Sequence, residues 1–402
     1  MQRTLMILTI FCLFLMFLSA TAAAAEYYVA TTGQDSNPGT KTAPFRTIKH
    51  GVSILKPGDT LLIRGGTYRE SLRHGYDVIP SGTSWSSPIT IAAYGGETVI
   101  MKPDGGSVIG ISGGQQYIIL KNLVFDAING TGDGVGVNSG SKHIRFIGCE
   151  FINAYKNGVL VSDGGAKIPA THVEFINIKV HHNNRGGVGH GMYISTSDNL
   201  VEDSEIHQNG GYGIHIYSGK GRADYNTVRN NKIHNNGTNA DTGFKPAGLI
   251  LTAGTGNVAY NNIIWNNPDG ISVSWQNPID TLLYNNTVYN NHGHGIVLTY
   301  ATNTLVANNI IYGNGVDVAN NNSSTTFLSN LTTDPKFTDP ASGDFSLQAS
   351  SPAINAGTHL TYLETDIFGV PRPQGPYPDI GAIEYRQTSK PAPPRELKAI
   401  LE

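Results

Sequence analysis

His190, Tyr193 and His215 carry side chains that can move protons, and cations surround them in sequence at Arg185, Lys220, Arg222 and Lys245. A histidine or lysine can take a proton, a tyrosine can return one, and a fixed cation can neutralise a developing anion. That set suits proton abstraction beside a carboxyl group followed by elimination. Hydrolysis through two carboxylates would need a pair roughly 5–9.5 Å apart. No outward acid pair on neighbouring repeats stands near His190. We read His190, Tyr193, His215, Lys220 and Lys245 as candidate catalytic residues. Arg185, Tyr217, Arg222, Trp275 and Tyr300 are candidate binding residues, the last two as flat faces beside a groove.

What positions these residues is a repeat. Glycine followed by apolar–x–apolar recurs as DGVGV, NGVLV, HGMYI, YGIHI, AGLIL, DGISV, HGIVL and NGVDV, with glycines at 134, 158, 191, 213, 248, 270, 295 and 315. A second short alternating motif precedes each one, and Asn- and Gly-rich turns divide them. Helical periodicity is absent from this region. Coils of 20–35 residues that stack in parallel make a solenoid,. A propeller blade needs about 40–50 residues. The expectation is an all-β, right-handed, single-stranded parallel β-helix, the hand following from the bias of parallel crossovers.

In that register the residue two after each glycine faces out, giving Gly136, Leu160, Tyr193, His215, Ile250, Ser272, Val297 and Asp317. The residue before each glycine gives Asp133, Asn157, His190, Tyr212, Ala247, Asp269, His294 and Asn314. Neighbouring rungs lie about 4.8 Å apart, so Tyr193 and His215 should stand side by side with His190 at the strand mouth. Long turns at 179–190 and 235–248 precede these strands, and turns at 162–171 and 218–224 follow them. They should wall a groove and bring Arg185, Lys220, Arg222 and Lys245 to it. His294 has the same local sequence without such loops. A bland reading keeps His190 as a polar turn residue. His181, His182, His207 and His234 read as polar spacers, and the Asn pairs 230/231, 261/262, 285/286 and 308/309 as turn residues stacking from coil to coil,.

The ends differ from the repeat. Residues 1–25 combine Arg3, an apolar run from Leu5 to Leu18 and a small-residue end, the pattern of a secretory leader,. Cleavage after Ala25 would leave Cys149 alone, so no intrachain disulfide is expected,. We divide the rest into 26–110 (cap and first coils), 111–332 (central coils), 333–387 (an irregular C-terminal cover) and 388–402 (a Pro-rich tail). Ile48, Val52 and Leu55 should form one face of a short capping helix. With 27 basic and 30 acidic residues, the net charge of −3 gives no reason to expect nucleic acid or a membrane surface as partner,.

The pieces NPGT, PFRTI, PGDT and RGGTY between residues 37 and 68, with the closing SSPAINAG and DIGAIEY, resemble secreted pectate-lyase-like right-handed β-helix proteins. That group includes polysaccharide lyases and glycoside hydrolases. The resemblance implies a secreted, extracellular or periplasmic, monomeric protein with a polysaccharide as partner. The leading expectation is a lyase acting on a uronate polymer by β-elimination. A glycoside hydrolase and a non-catalytic carbohydrate-binding or surface protein are the alternatives. Gly189-His190-Gly191 matches one of the four polygalacturonase motifs, and the Asp pair of that group is missing. Calcium stays open as a cofactor, although Asp133, Asp163 and Asp269 are scattered compared with the calcium-dependent lyases.

Overall fold

The computed structural model describes residues 24–73, 78–165, 168–187, 189–219, 223–239, 246–361 and 363–386. Each complete coil contributes one strand to each of three parallel sheets, and one of them carries one more strand at either end. One sheet has twelve strands, from Glu26–Val29 to Thr325–Leu328. A second has ten, from Gly66–Arg69 to Ile310–Tyr312, and a third has ten, from Leu72–Arg73 to Val316–Asn321. The solenoid is right-handed, as expected.

All eight glycine-led segments lie in the third sheet. Gly136, Leu160, Tyr193, His215, Ile250, Ser272 and Val297 pair in unbroken register. The eighth rung departs from the expectation, because Val297 pairs with Ala319 and not with Asp317. Asp317 instead accepts hydrogen bonds at 3.0 Å from the backbone N and Nδ2 of Asn314. Its carboxylate therefore ends a ladder of amides at the turn, and the strand aligns two residues later.

Close stacking explains the repeated glycine. A Cβ on Gly134, Gly158, Gly191, Gly213 or Gly270 would lie 2.5–2.8 Å from the carbonyl oxygen of the matching glycine one coil on. Buried asparagines fill the turn before these strands. Asn183, Asn209, Asn236, Asn267, Asn291 and Asn314 each give an amide to the next side-chain oxygen at 2.9–3.1 Å. In the Asn pairs the two members divide the work. Asn230, Asn261, Asn285 and Asn308 take left-handed φ values of 50–57°, while Asn231, Asn262, Asn286 and Asn309 form a second buried ladder,.

Inside, Phe125, Phe146, Phe151 and Phe175 are fully buried, and Phe146 stacks on Phe175 with centroids 5.1 Å apart. The helix Ile48–Ser53, capped by Thr47, buries Ile48 and Val52, and Leu55 follows, buried just past its end. After the last coil, Phe337–Asp339 and Asp344–Leu347 pair antiparallel. Phe345 packs on Trp265 and Tyr289 at 5.1 and 5.7 Å. Cys149 is buried and free, its thiol pushed up to about 12 by desolvation, which makes it unreactive. The leader and Pro-rich tail lie outside the described residues, apart from Ala24 and Ala25. No helix among the described residues is long and apolar enough to cross a membrane.

Candidate functional site

Four consecutive coils of the third sheet open a groove of about 410 Å³. His190, Tyr212 and His215 line its floor, while Tyr217, Ile250, Thr252 and Trp275 continue it along the stack. Asn184, Asn239 and Pro246 come from the long turns at its rim. The backbone sets this arrangement. His190 N donates to Asn157 Oδ1 at 2.8 Å, which fixes the turn, and Gly191 N donates to the Tyr212 carbonyl at 2.9 Å. Met192 and Ile194 then bury inward, leaving Tyr193 between them on the outer face.

The rings form one cluster. His190 and His215 have centroids 4.6 Å apart, and Tyr212 lies 5.0 Å from the first and 4.7 Å from the second. Tyr193 lies 5.7 Å from His190 and 5.0 Å from His215. Tyr217 stacks beside His215 at 5.4 Å.

Burial sets the protonation states. Desolvation lowers the His190 imidazole to about 4, opposed only by the Gly189 carbonyl. Desolvation, with a smaller push from His190, holds His215 well below 6.5. Both rings are thus neutral at pH 7. Burial raises the Tyr193 phenol to about 12 and also raises that of Tyr212, with Asp269 adding to the effect. The phenols therefore keep their protons. Three polar atoms in the groove wall, Asn184 Oδ1, His190 Nδ1 and His215 Nδ1, are shielded from solvent and have no protein hydrogen-bond partner. Unpaired buried polar atoms are uncommon and often mark functional positions.

The structure brings His190, Tyr193, His215 and Tyr217 together, with Trp275 on the same groove. Tyr193 is not itself among the lining residues; Tyr212 supplies the phenol on the floor. Trp275 is 59% exposed and begins a run of left-handed residues, with φ 62° at Trp275, 38° at Gln276 and 48° at Asn277. Such backbone is costly for side chains of this size, and strain of this kind gathers at functional sites.

Two expectations need correction. Arg185 does not reach the groove. Its Nε donates to the Asn153 carbonyl and its NH2 to the Ile128 carbonyl, both at 2.8 Å, so it clamps turns of the preceding coils. Tyr300 is exposed but does not line the groove, being one coil beyond Trp275. Lys220, Arg222 and Lys245 lie outside the described residues.

Sequence reasoning missed Tyr212, Asn184 and Asn239. Tyr212 sits in the ladder position of His190, so its rung was already a signal. The two asparagines resemble every other turn amide, and the sequence marks neither one out.

Among the described residues, no group of three or more His, Cys, Asp or Glu side chains could hold a metal ion. Asp133 Oδ1 accepts from Asn157 N and Nδ2, and Asp269 is tied to His294. Among the described residues, the donors do not fit a calcium site.

Residues 27–187 match the family described as Pel9A-like, right handed beta helix region, and residues 169–332 match the right handed beta helix region family. An uncharacterized protein of Bacillus subtilis, YwoF, is 27% identical over 333 residues, covering 71% of this chain and 68% of its own. Pectate lyase PEL9 of Emericella nidulans is 38% identical over 78 residues, 19% of this chain and 18% of its own. Among solved structures, pectate lyase Pel9A superposes with a TM-score of 0.71 at 19% identity, covering 91% of this chain and 97% of that one. A rhamnogalacturonan lyase gives 0.53 at 16% identity, covering 87% and 99%. The chain is a right-handed parallel β-helix protein of pectate-lyase-like fold.

Proposed function

We propose that the protein is a secreted polysaccharide lyase that cleaves a uronate-containing polymer by β-elimination in the His190 groove. The observation that carries this reading is the meeting of two neutral imidazoles and a protonated phenol, His190, His215 and Tyr212, on the floor of one groove.

The chemistry follows from those protonation states. A neutral imidazole has a lone pair to accept the C5 proton of the uronate. The C5–H electrons form the C4–C5 double bond, the C4–O bond breaks, and its electron pair leaves on the glycosidic oxygen. A phenol can then protonate that oxygen. His190 is the better base of the two, because the Gly189 backbone opposes the desolvation that lowers it, whereas His190 adds to the lowering at His215,. Tyr212 is the better acid because it lines the groove. Trp275 offers its exposed face for a sugar ring to lie on.

Incubation of the protein with pectate, alginate, glycosaminoglycans and neutral glycans tests this reading. A lyase gives products with ultraviolet absorbance from the unsaturated sugar on a uronate polymer alone. New reducing ends without that absorbance would indicate a hydrolase, and binding without cleavage a non-catalytic role.

A further inference from the structure

We infer that the unit held in the His190 groove is a uronate whose carboxyl is masked as an ester, not a free carboxylate. This deepens the proposed elimination and rests on it for the reaction, though not for the binding.

The lining carries the inference. Among the described residues the groove is walled by histidines, tyrosines, asparagines, Thr252, Ile250, Pro246, Trp275 and glycine backbone, with no side chain bearing a full charge. The two imidazoles do not supply a cation, because burial keeps both neutral at pH 7. Against these described residues a free carboxylate would lose its water without gaining a counter-charge, a costly transfer. An ester loses far less. Apolar surface for its methyl group is present in the lining at Ile250, Pro246 and Trp275. Its carbonyl can accept from the Tyr212 phenol or from the amides of Asn184 and Asn239.

The reaction points the same way. Removing the proton beside a carboxylate builds a second negative charge on that group, which calls for a metal or a cluster of cations to absorb it. The hydrogen beside an ester is intrinsically more acidic, and the enolate formed carries one charge that a hydrogen-bond donor can stabilise. A weakly basic imidazole and a phenol suffice for such a step. The proton leaves C5, the double bond forms between C4 and C5, and the alkoxide departs as above, so the ester itself is unchanged.

Two measurements test this with a short oligogalacturonide and its fully methyl-esterified counterpart. The first is the rate of unsaturated product formed by the wild-type protein. The second is calorimetric binding to His190→Ala, with folding checked by circular dichroism. If that variant does not fold, wild-type binding at 4 °C replaces it. The ester should be favoured by at least about tenfold in both kcat/KM and affinity, a preference of about 1.4 kcal/mol. Tighter or equal binding of the free acid, or binding of neither compound, would overturn the inference. Preferential binding of the ester without any unsaturated product would sink the lyase reading alone and leave the uncharged subsite standing.

Discussion

The imidazole of His294 sits with Nδ1 3.2 Å from Oδ1 of Asp269, the residue one rung before it on the same ladder. At the equivalent rung, His190 has Asn157 as its predecessor, and Asn157 Oδ1 takes only the His190 backbone N–H. One imidazole is thus tied to a carboxylate while the other is left to the groove. His190→Ala should lower turnover by about 10²–10⁴-fold, the range expected for loss of a general base, with a small change in melting temperature. His294→Ala should keep most activity. Equal activity losses matched by equal drops in melting temperature would make His190 a turn residue.

Burial gives stability a pH dependence of definite sign. His190 titrates at about 4 in the folded chain, against an ordinary 6.5. Between those values the unfolded chain binds a proton that the folded one does not, so stability falls as pH drops from 6.5 toward 4. One such group contributes a slope approaching about 1.4 kcal/mol per pH unit. His190→Gln should flatten the loss of melting temperature across this window, and an unchanged profile would show that His190 is not held neutral by burial.

Gly211 has no room for a side chain. A Cβ there would run into the Gly189 carbonyl oxygen and come within 2.7 Å of His190 Nδ1. Gly211→Ala should cost about 1–3 kcal/mol by overpacking and should also reduce activity by displacing His190. Gly132→Ala, whose Cβ would meet nothing within 4 Å, is the control for thermal melts.

The coil pattern was legible because each repeat glycine answers a steric demand from its neighbour, so spacing and sheet membership could be read together. Asp317 broke the register because a carboxylate can end an amide ladder, and alternation alone cannot distinguish such a residue from an outward rung. Arg185 misled for a different reason. A long turn can place a cation on either side of itself, and this one finds carbonyls at Asn153 and Ile128. His190, Tyr193 and His215 could be grouped from the ladder alone. Which phenol faces the groove depends on how the turns fold over it, and that is not written in the period.

Trp275 and Tyr300 are similarly exposed, at 59% and 57%, but only Trp275 lines the groove. Trp275→Ala should raise KM several-fold with kcat largely kept, the loss of a stacking face used for binding. Tyr300→Ala should change neither constant. A comparable rise in KM for both would show that the substrate path runs beyond the groove.

Digestion of the esterified polymer in heavy-oxygen water, read by mass spectrometry, tests the elimination at His190 most directly. Elimination adds no water across the cleaved bond, so each cut should leave an unsaturated sugar at the new non-reducing end and the original, light glycosidic oxygen at the new reducing end, and His190→Ala should form almost no unsaturated ends. Heavy oxygen at the new reducing end would mean that water cleaves the bond, and undiminished product from His190→Ala would remove the base from the account.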